Sequence, residues 1–144
     1  GMVFLPLWRQ SAIHAIRLRG NGQPPEPVWV NEKPGPVEPS LLYYRGMLYA
    51  LKDNGVLVCF DGQTGHEQYR EPLGGECNSS PIASDGHIFA SNILGTTFVI
   101  RAGPKFELLA TNELAERITA SPAISGDALI YRTDSHLYCI GHAR

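Results

Sequence analysis

The chain repeats itself about every forty residues. Ser40-Leu-Leu-Tyr-Tyr-Arg-Gly-Met-Leu-Tyr-Ala aligns with Ser80-Pro-Ile-Ala-Ser-Asp-Gly-His-Ile-Phe-Ala and again with Ser121-Pro-Ala-Ile-Ser-Gly-Asp-Ala-Leu-Ile-Tyr. The leading serines stand 40 and then 41 positions apart. A second landmark keeps the same register, with Leu57-Val-Cys-Phe60, Thr97-Phe-Val-Ile100 and Leu137-Tyr-Cys-Ile140 spaced by 40. A period of this length excludes most single-core folds, because each unit must bury its apolar surface against its neighbours.

Inside each unit, Val, Ile, Leu, Tyr and Phe cluster over four to six positions between Gly, Asp and Asn turn signals, which is the pattern of short strands. In the second unit the strands are expected near Leu41 to Tyr44, Met47 to Leu51, Leu57 to Asp61 and His66 to Tyr69. Arg45-Gly46 and Asn54-Gly55 between them suit tight antiparallel hairpins. Asp85-Gly86 and Gly95 serve the third unit, and Gly126-Asp127 and Asp134-Ser135 the fourth. Four-stranded antiparallel sheets of about 40 residues are the blades of a β-propeller. The expected fold is therefore all-β, one array over residues 1–144 of about three and a half blades: 1–31 incomplete, 40–71, 80–111 and 121–144 incomplete. That gives fourteen strands, with Met2 to Trp8, Ala12 to Arg17 and Val28 to Val30 supplying the first blade. The Pro- and Gly-rich stretches Gly20 to Pro27 and Asn31 to Pro39 read as connections. Asn112 to Arg117 reads as a helical turn, capped by Asn112 ahead of Glu113 and Glu116.

Composition narrows function mainly by exclusion. Twelve Lys and Arg against fourteen Asp and Glu give a net charge of −2 with no basic run, so a nucleic-acid partner is not expected. No apolar stretch approaches the roughly 20 residues of a membrane-spanning helix. Cys59, Cys77 and Cys139 form no CxxC pair, and buried free thiols are expected. Cys59 and Cys139 hold equivalent places two blades apart, beyond the ~6 Å reach of a disulfide, and are expected in the core. His14, His66, His87, His136 and His142 show no ligand spacing, so no metal is expected. No serine lies in a nucleophile elbow, and the repeat register accounts for Ser80 and Ser121.

The run Leu57-Val-Cys-Phe-Asp-Gly-Gln-Thr-Gly-His-Glu-Gln-Tyr69 resembles the signature of PQQ-type propeller repeats, in which Ala-x-Asp at a strand end is followed by x-x-Thr-Gly and an aromatic. The match falls on Asp61, Thr64 and Gly65, and the Ser80-Pro81 and Ser121-Pro122 openings extend it over the chain. Asp61 and Thr64 can satisfy backbone groups of the turn, and Gly65 supplies backbone freedom. The aromatic, which packs between blades, is Trp29 in the first blade and Tyr69 in the second, while the third offers Leu108 or Leu109.

The resemblance implies one of two functions. Quinoprotein dehydrogenases of this family bind PQQ with Ca²⁺ on the propeller axis, over a tryptophan platform and often beside adjacent cysteines. Scaffold members bind protein or peptide in the bacterial envelope or in sensor proteins. This chain has no Cys-Cys pair, and Trp8 and Trp29 fall away from the axis, so a non-catalytic scaffold with no cofactor is expected. A fragment of a PQQ-dependent dehydrogenase is the alternative. Analogy with scaffold members implies a periplasmic or other extracytoplasmic place. Fourteen strands cannot close the family's usual eight blades, and a homodimer that completes the ring is expected. Gly74 to Ser80, leading into an innermost strand, is either a binding loop through Glu76 and Asn78 or an ordinary blade connection.

Overall fold

The structure is a computed structural model and describes residues 1–7, 12–33 and 35–141. Trp8, part of the expected first-blade strand, lies outside the described residues. Among the described residues fourteen strands fall into four antiparallel sheets in chain order. The first blade is β1 (Met2–Pro6), β2 (Ile13–Arg17) and β3 (Glu26–Asn31). The second is β4 (Leu42–Tyr44), β5 (Met47–Leu51), β6 (Val56–Asp61) and β7 (Glu67–Pro72). The third is β8 (Ile82–Ser84), β9 (His87–Ser91), β10 (Thr96–Arg101) and β11 (Leu108–Glu113). The fourth is β12 (Ala123–Ser125), β13 (Ala128–Arg132) and β14 (Leu137–Gly141).

The turn chemistry explains the meander. Arg45-Gly46 and Asp85-Gly86 close two-residue loops with φ of 50° and 83°, and 47° and 80°, the left-handed pair that matches strand twist. At the next hairpin of the third blade Gly95 has φ +94°, and a Cβ there would lie 2.0 Å from the Leu114 carbonyl oxygen, so only glycine fits. The expected helical turn at Asn112 to Arg117 does not form. Thr111, Asn112 and Glu113 pair instead with Phe98, Thr97 and Thr96 of β10, and a completed ladder outweighs a weak capping signal.

Strand alternation gives every blade two faces, and the core consists of seams where neighbouring faces meet. Between the first and second blades, Ile13 packs with Leu48, Ala50, Val58 and Phe60, joined by Phe4 and Trp29. Between the second and third, Tyr49, Leu51, Leu57 and Cys59 meet Ile88, Ala90, Phe98 and Ile100, all at most 9% exposed. Two tyrosines stitch this second seam: Tyr44 Oη accepts from Gly86 N at 3.0 Å and Tyr49 Oη from Gly103 N at 2.9 Å.

Candidate functional site

The residues of the repeat motif build blade junctions. Asp61 Oδ1 accepts hydrogen bonds from Gln63 N, Thr64 N and Thr64 Oγ1 at 2.8–3.0 Å, closing the turn between β6 and β7. The donation from Thr64 holds the Asp61 carboxyl below the usual carboxylate range. Gly65, at φ +73°, lies under the indole of Trp29, where a Cβ would come within 2.6 Å of the ring. Trp29 Nε1 also donates to Gly62 O at 3.1 Å, so the aromatic of one blade docks on the Asp-Gly-x-Thr-Gly turn of the next. Tyr69 holds the corresponding place in the second blade, edge-on to Phe106 at 5.6 Å between centroids, and its Oη meets no hydrogen-bond partner among the described residues.

The leading serines also join blades. Ser40 N donates to Ser80 Oγ, and Ser80 N to Ser121 Oγ, both at 2.9 Å. The Ser-Pro opening thus supplies one hydroxyl per blade to the blade before it.

The loop carrying Glu76 and Asn78 is fastened at several points. Cys77 N donates to Asp53 O, Ile93 N donates to Glu76 O, and Asn92 Nδ2 donates to Gly74 O. Its backbone therefore ties two hairpins together as a blade connection, with the Glu76 side chain exposed and Asn78 half-buried. Cys77 is 1% exposed, and burial pushes its thiol up to about 11, while burial pushes Cys59 up to about 12. Both thiols stay protonated and inert. Cys139, expected in the core with Cys59, is exposed. Its position is equivalent, but on Cys59 the third blade lies over that face, and among the described residues no blade covers the corresponding face of the fourth. Leu137 shows the same effect at 72% exposed against 0% for its counterpart Leu57.

The third seam differs from the other two in composition and in fit. Where the second blade presents Leu51 and Leu57, the third presents Ser91 and Thr97, whose hydroxyls bond to each other at 2.8 Å. Tyr131 fills part of that space, where the two preceding blades have Ala50 and Ala90; it is 3% exposed and its Oη has no hydrogen-bond partner among the described residues. The outer aromatic is missing as well. Trp29 pairs across from Ala15 and Tyr69 from Cys59, and the residue across from Val99 is Ala110. Leu108 and Leu109, the expected substitutes, are not at that place: a bulge between Val99 and Ile100 leaves Leu109 unpaired, Leu108 opposite Ile100, and both exposed. The seam also holds two adjoining cavities of about 610 and 270 Å³ that share Phe89, Leu129 and Ile140, the smaller lined as well by Thr97 and Tyr131.

Beside it, the β11–β12 connection is latched by Glu116. Its carboxylate accepts from Thr133 Oγ1 at 2.5 Å, meets His136 Nδ1 at 2.5 Å and accepts from Tyr138 Oη at 3.2 Å. The bond from Thr133, then that from His136, holds the Glu116 carboxyl below its ordinary range. Among the described residues no three His, Cys, Asp or Glu side chains come together as a metal site.

Known structures agree with this architecture. BamB from Moraxella catarrhalis superposes with a TM-score of 0.75 at 16% identity, over 97% of this chain and 42% of that one. The fold is of the β-propeller type. The computationally designed Ika4 protein matches with a TM-score of 0.73 at 13% identity, over 97% of this chain and 86% of that one. A europium-containing methanol dehydrogenase matches at 0.54 and 14% identity, over 69% of this chain and 21% of that one. The chain spans less than half the length of the BamB structure. No family model matches the chain, and no curated protein matches it in sequence. No helix is long and apolar enough to cross a membrane among the described residues.

Proposed function

We propose that this chain is a non-catalytic scaffold of the PQQ-like repeat class, from a bacterial envelope or sensor protein, that binds protein through its end blades. One observation carries the reading: both end blades present apolar faces of the kind buried in the inner seams. On the first blade Leu5 and Val30 are 40% and 48% exposed, beside half-buried Val3 and Ile16. On the fourth, Leu137 and Cys139 are exposed beside half-buried Ile130. Such faces mark interaction surfaces, and the outer edge of β14, unpaired among the described residues, can accept a further strand. The likeness to BamB supports an envelope role.

A second copy is the simplest partner, its first blade seated on the fourth blade of this one to complete the ring. Light scattering after gel filtration tests this. Twice the chain mass of 15.8 kDa is the expected result, and a single-chain mass at high concentration overturns ring closure by a second copy. The methanol dehydrogenase likeness favours the alternative of a quinoprotein fragment. Titration with PQQ and Ca²⁺ separates the two readings, since saturable micromolar binding with dye-linked alcohol oxidation would overturn the non-catalytic one.

A further inference from the structure

We infer that the larger cavity, between the inner hairpins of the third and fourth blades, binds a small aromatic amine, a ring carrying a cationic nitrogen. The same pair of hairpins closes differently in the two seams. In the second seam, Tyr44 Oη accepts from Gly86 N at 3.0 Å. The Arg45 guanidinium lies 5.3 Å from the Tyr44 ring centroid and would stand 3.0 Å from a Cβ on Gly86. Ring and cation together cover the Asp85-Gly86 turn, and Gly86 is buried. Forty positions on, Ser84 and Asp85 stand in the places of Tyr44 and Arg45, and Gly126-Asp127 is the turn of the following blade. All four of these residues line the cavity of about 610 Å³, and both turn residues are exposed. The opening falls where the repeat has lost a ring and a cation.

The walls set the class of ligand. The volume falls within the range of ligand pockets, about 300–1,000 Å³. Ile124, Leu129 and Ile140 give apolar surface, and Phe89, 6.4 Å from the His87 ring, offers a face for stacking. Asp85 and Asp127 bring two carboxylates, and no lysine or arginine lines the cavity among the described residues. The backbone points the same way. Asp85 and Gly86 both have positive φ, whereas in Gly126-Asp127 only Gly126 does, at 56°. The peptide between them is therefore turned over, and a carbonyl takes the side that the Gly86 N–H takes in the preceding blade. Ser84 and His87 can each donate or accept. A ring bearing an ammonium supplies the donors and the positive charge that these acceptors lack, whereas an anionic ring would be repelled. Ile140 faces away from Leu137 and Cys139 by strand alternation, so the cavity is separate from the end-blade face.

The test uses the full chain with labelled methyl groups, titrated separately with tyramine, p-ethylphenol and p-hydroxyphenylpropionate, rings of one size that differ in charge. The expected result is saturable shifts at the Ile124, Leu129 and Ile140 methyls with tyramine, at least tenfold weaker binding of p-ethylphenol, and none of the anion. Ser84→Tyr, which restores the ring of the second seam, should weaken tyramine at least tenfold. The double variant Asp85→Asn/Asp127→Asn changes only exposed side chains and should abolish the preference for tyramine over p-ethylphenol; it decides the matter where Ser84→Tyr does not fold. No saturable shift with tyramine, a preference over p-ethylphenol of less than tenfold, or tyramine binding undiminished in either variant overturns the inference.

Discussion

The second and third seams are built from the same repeat and end up opposite in character. In the second, Leu51 and Leu57 meet Ala90 and Phe98, and the tyrosine ring of the outer strand closes the edge. In the third, Ser91 and Thr97 meet Tyr131, the outer strand offers Ala110, and cavities remain. Four differences at register positions, Leu51 to Ser91, Leu57 to Thr97, Ala90 to Tyr131 and Tyr69 to Ala110, therefore separate a packed junction from a partly open one without disturbing a strand. The blade scaffold rests on backbone ladders and turns, whereas the seam is set by side-chain volume, so the two vary independently.

The largest contrast is expected from truncation. Leu57→Ala, in a site with 0% exposure, should cost about 2–5 kcal/mol, while Leu129→Ala, which already borders a cavity, should cost no more than about 1–2. Urea unfolding of both variants measures the difference, and equal losses would remove the distinction between the seams.

Filling works in the other direction. Ala110→Trp should stabilise by about 1 kcal/mol through added apolar burial, seen as a raised Tm, while the matching deletion Trp29→Ala should cost about 3–5.

Tyr131→Phe should be neutral or stabilising by up to about 1 kcal/mol, because it removes a buried hydroxyl with no partner. A clear loss in thermal unfolding would mean that Oη is bonded to Ser91 or Thr97.

The smallest effect concerns acid. Glu116 has a carboxyl pKa lowered from 4.5 in the folded chain, so its contribution is complete above that value and fades as pH falls through the lower folded one. Glu116→Gln should flatten the acid limb of stability against pH, and an unchanged acid limb would show that the latch contributes nothing.

Much of this was legible in the amino-acid sequence. The forty-residue register gave the strands, because hairpin residues such as Arg45-Gly46 and Asp85-Gly86 are local signals that tertiary packing does not override. The roles of Asp61, Gly65 and Trp29 were legible too, since the turn is specified within one repeat and the ring that docks on it stands at a fixed place in the repeat before. Ala110 was missed because apolarity drew attention to Leu108 and Leu109, and a bulge one residue away decides which of these faces the seam. The signal existed. Trp29, Tyr69 and Ala110 are spaced by 40 and 41, the same intervals that separate Ser40, Ser80 and Ser121. Cys139 was misjudged for another reason: its repeat position predicts which way it points, but burial depends on whether a further blade lies there.

Hydrogen exchange tests the central claim, that the third seam is the weak junction of the array. The first and fourth blades are both terminal and three-stranded, yet the first is closed onto its neighbour by Trp29 and the fourth is not closed by Ala110. Amides of β2 should open at nearly the same free energy as those of β5 and β6, while those of β13 open well below them, in a unit confined to the fourth blade. Equal protection of β2 and β13 would contradict the account.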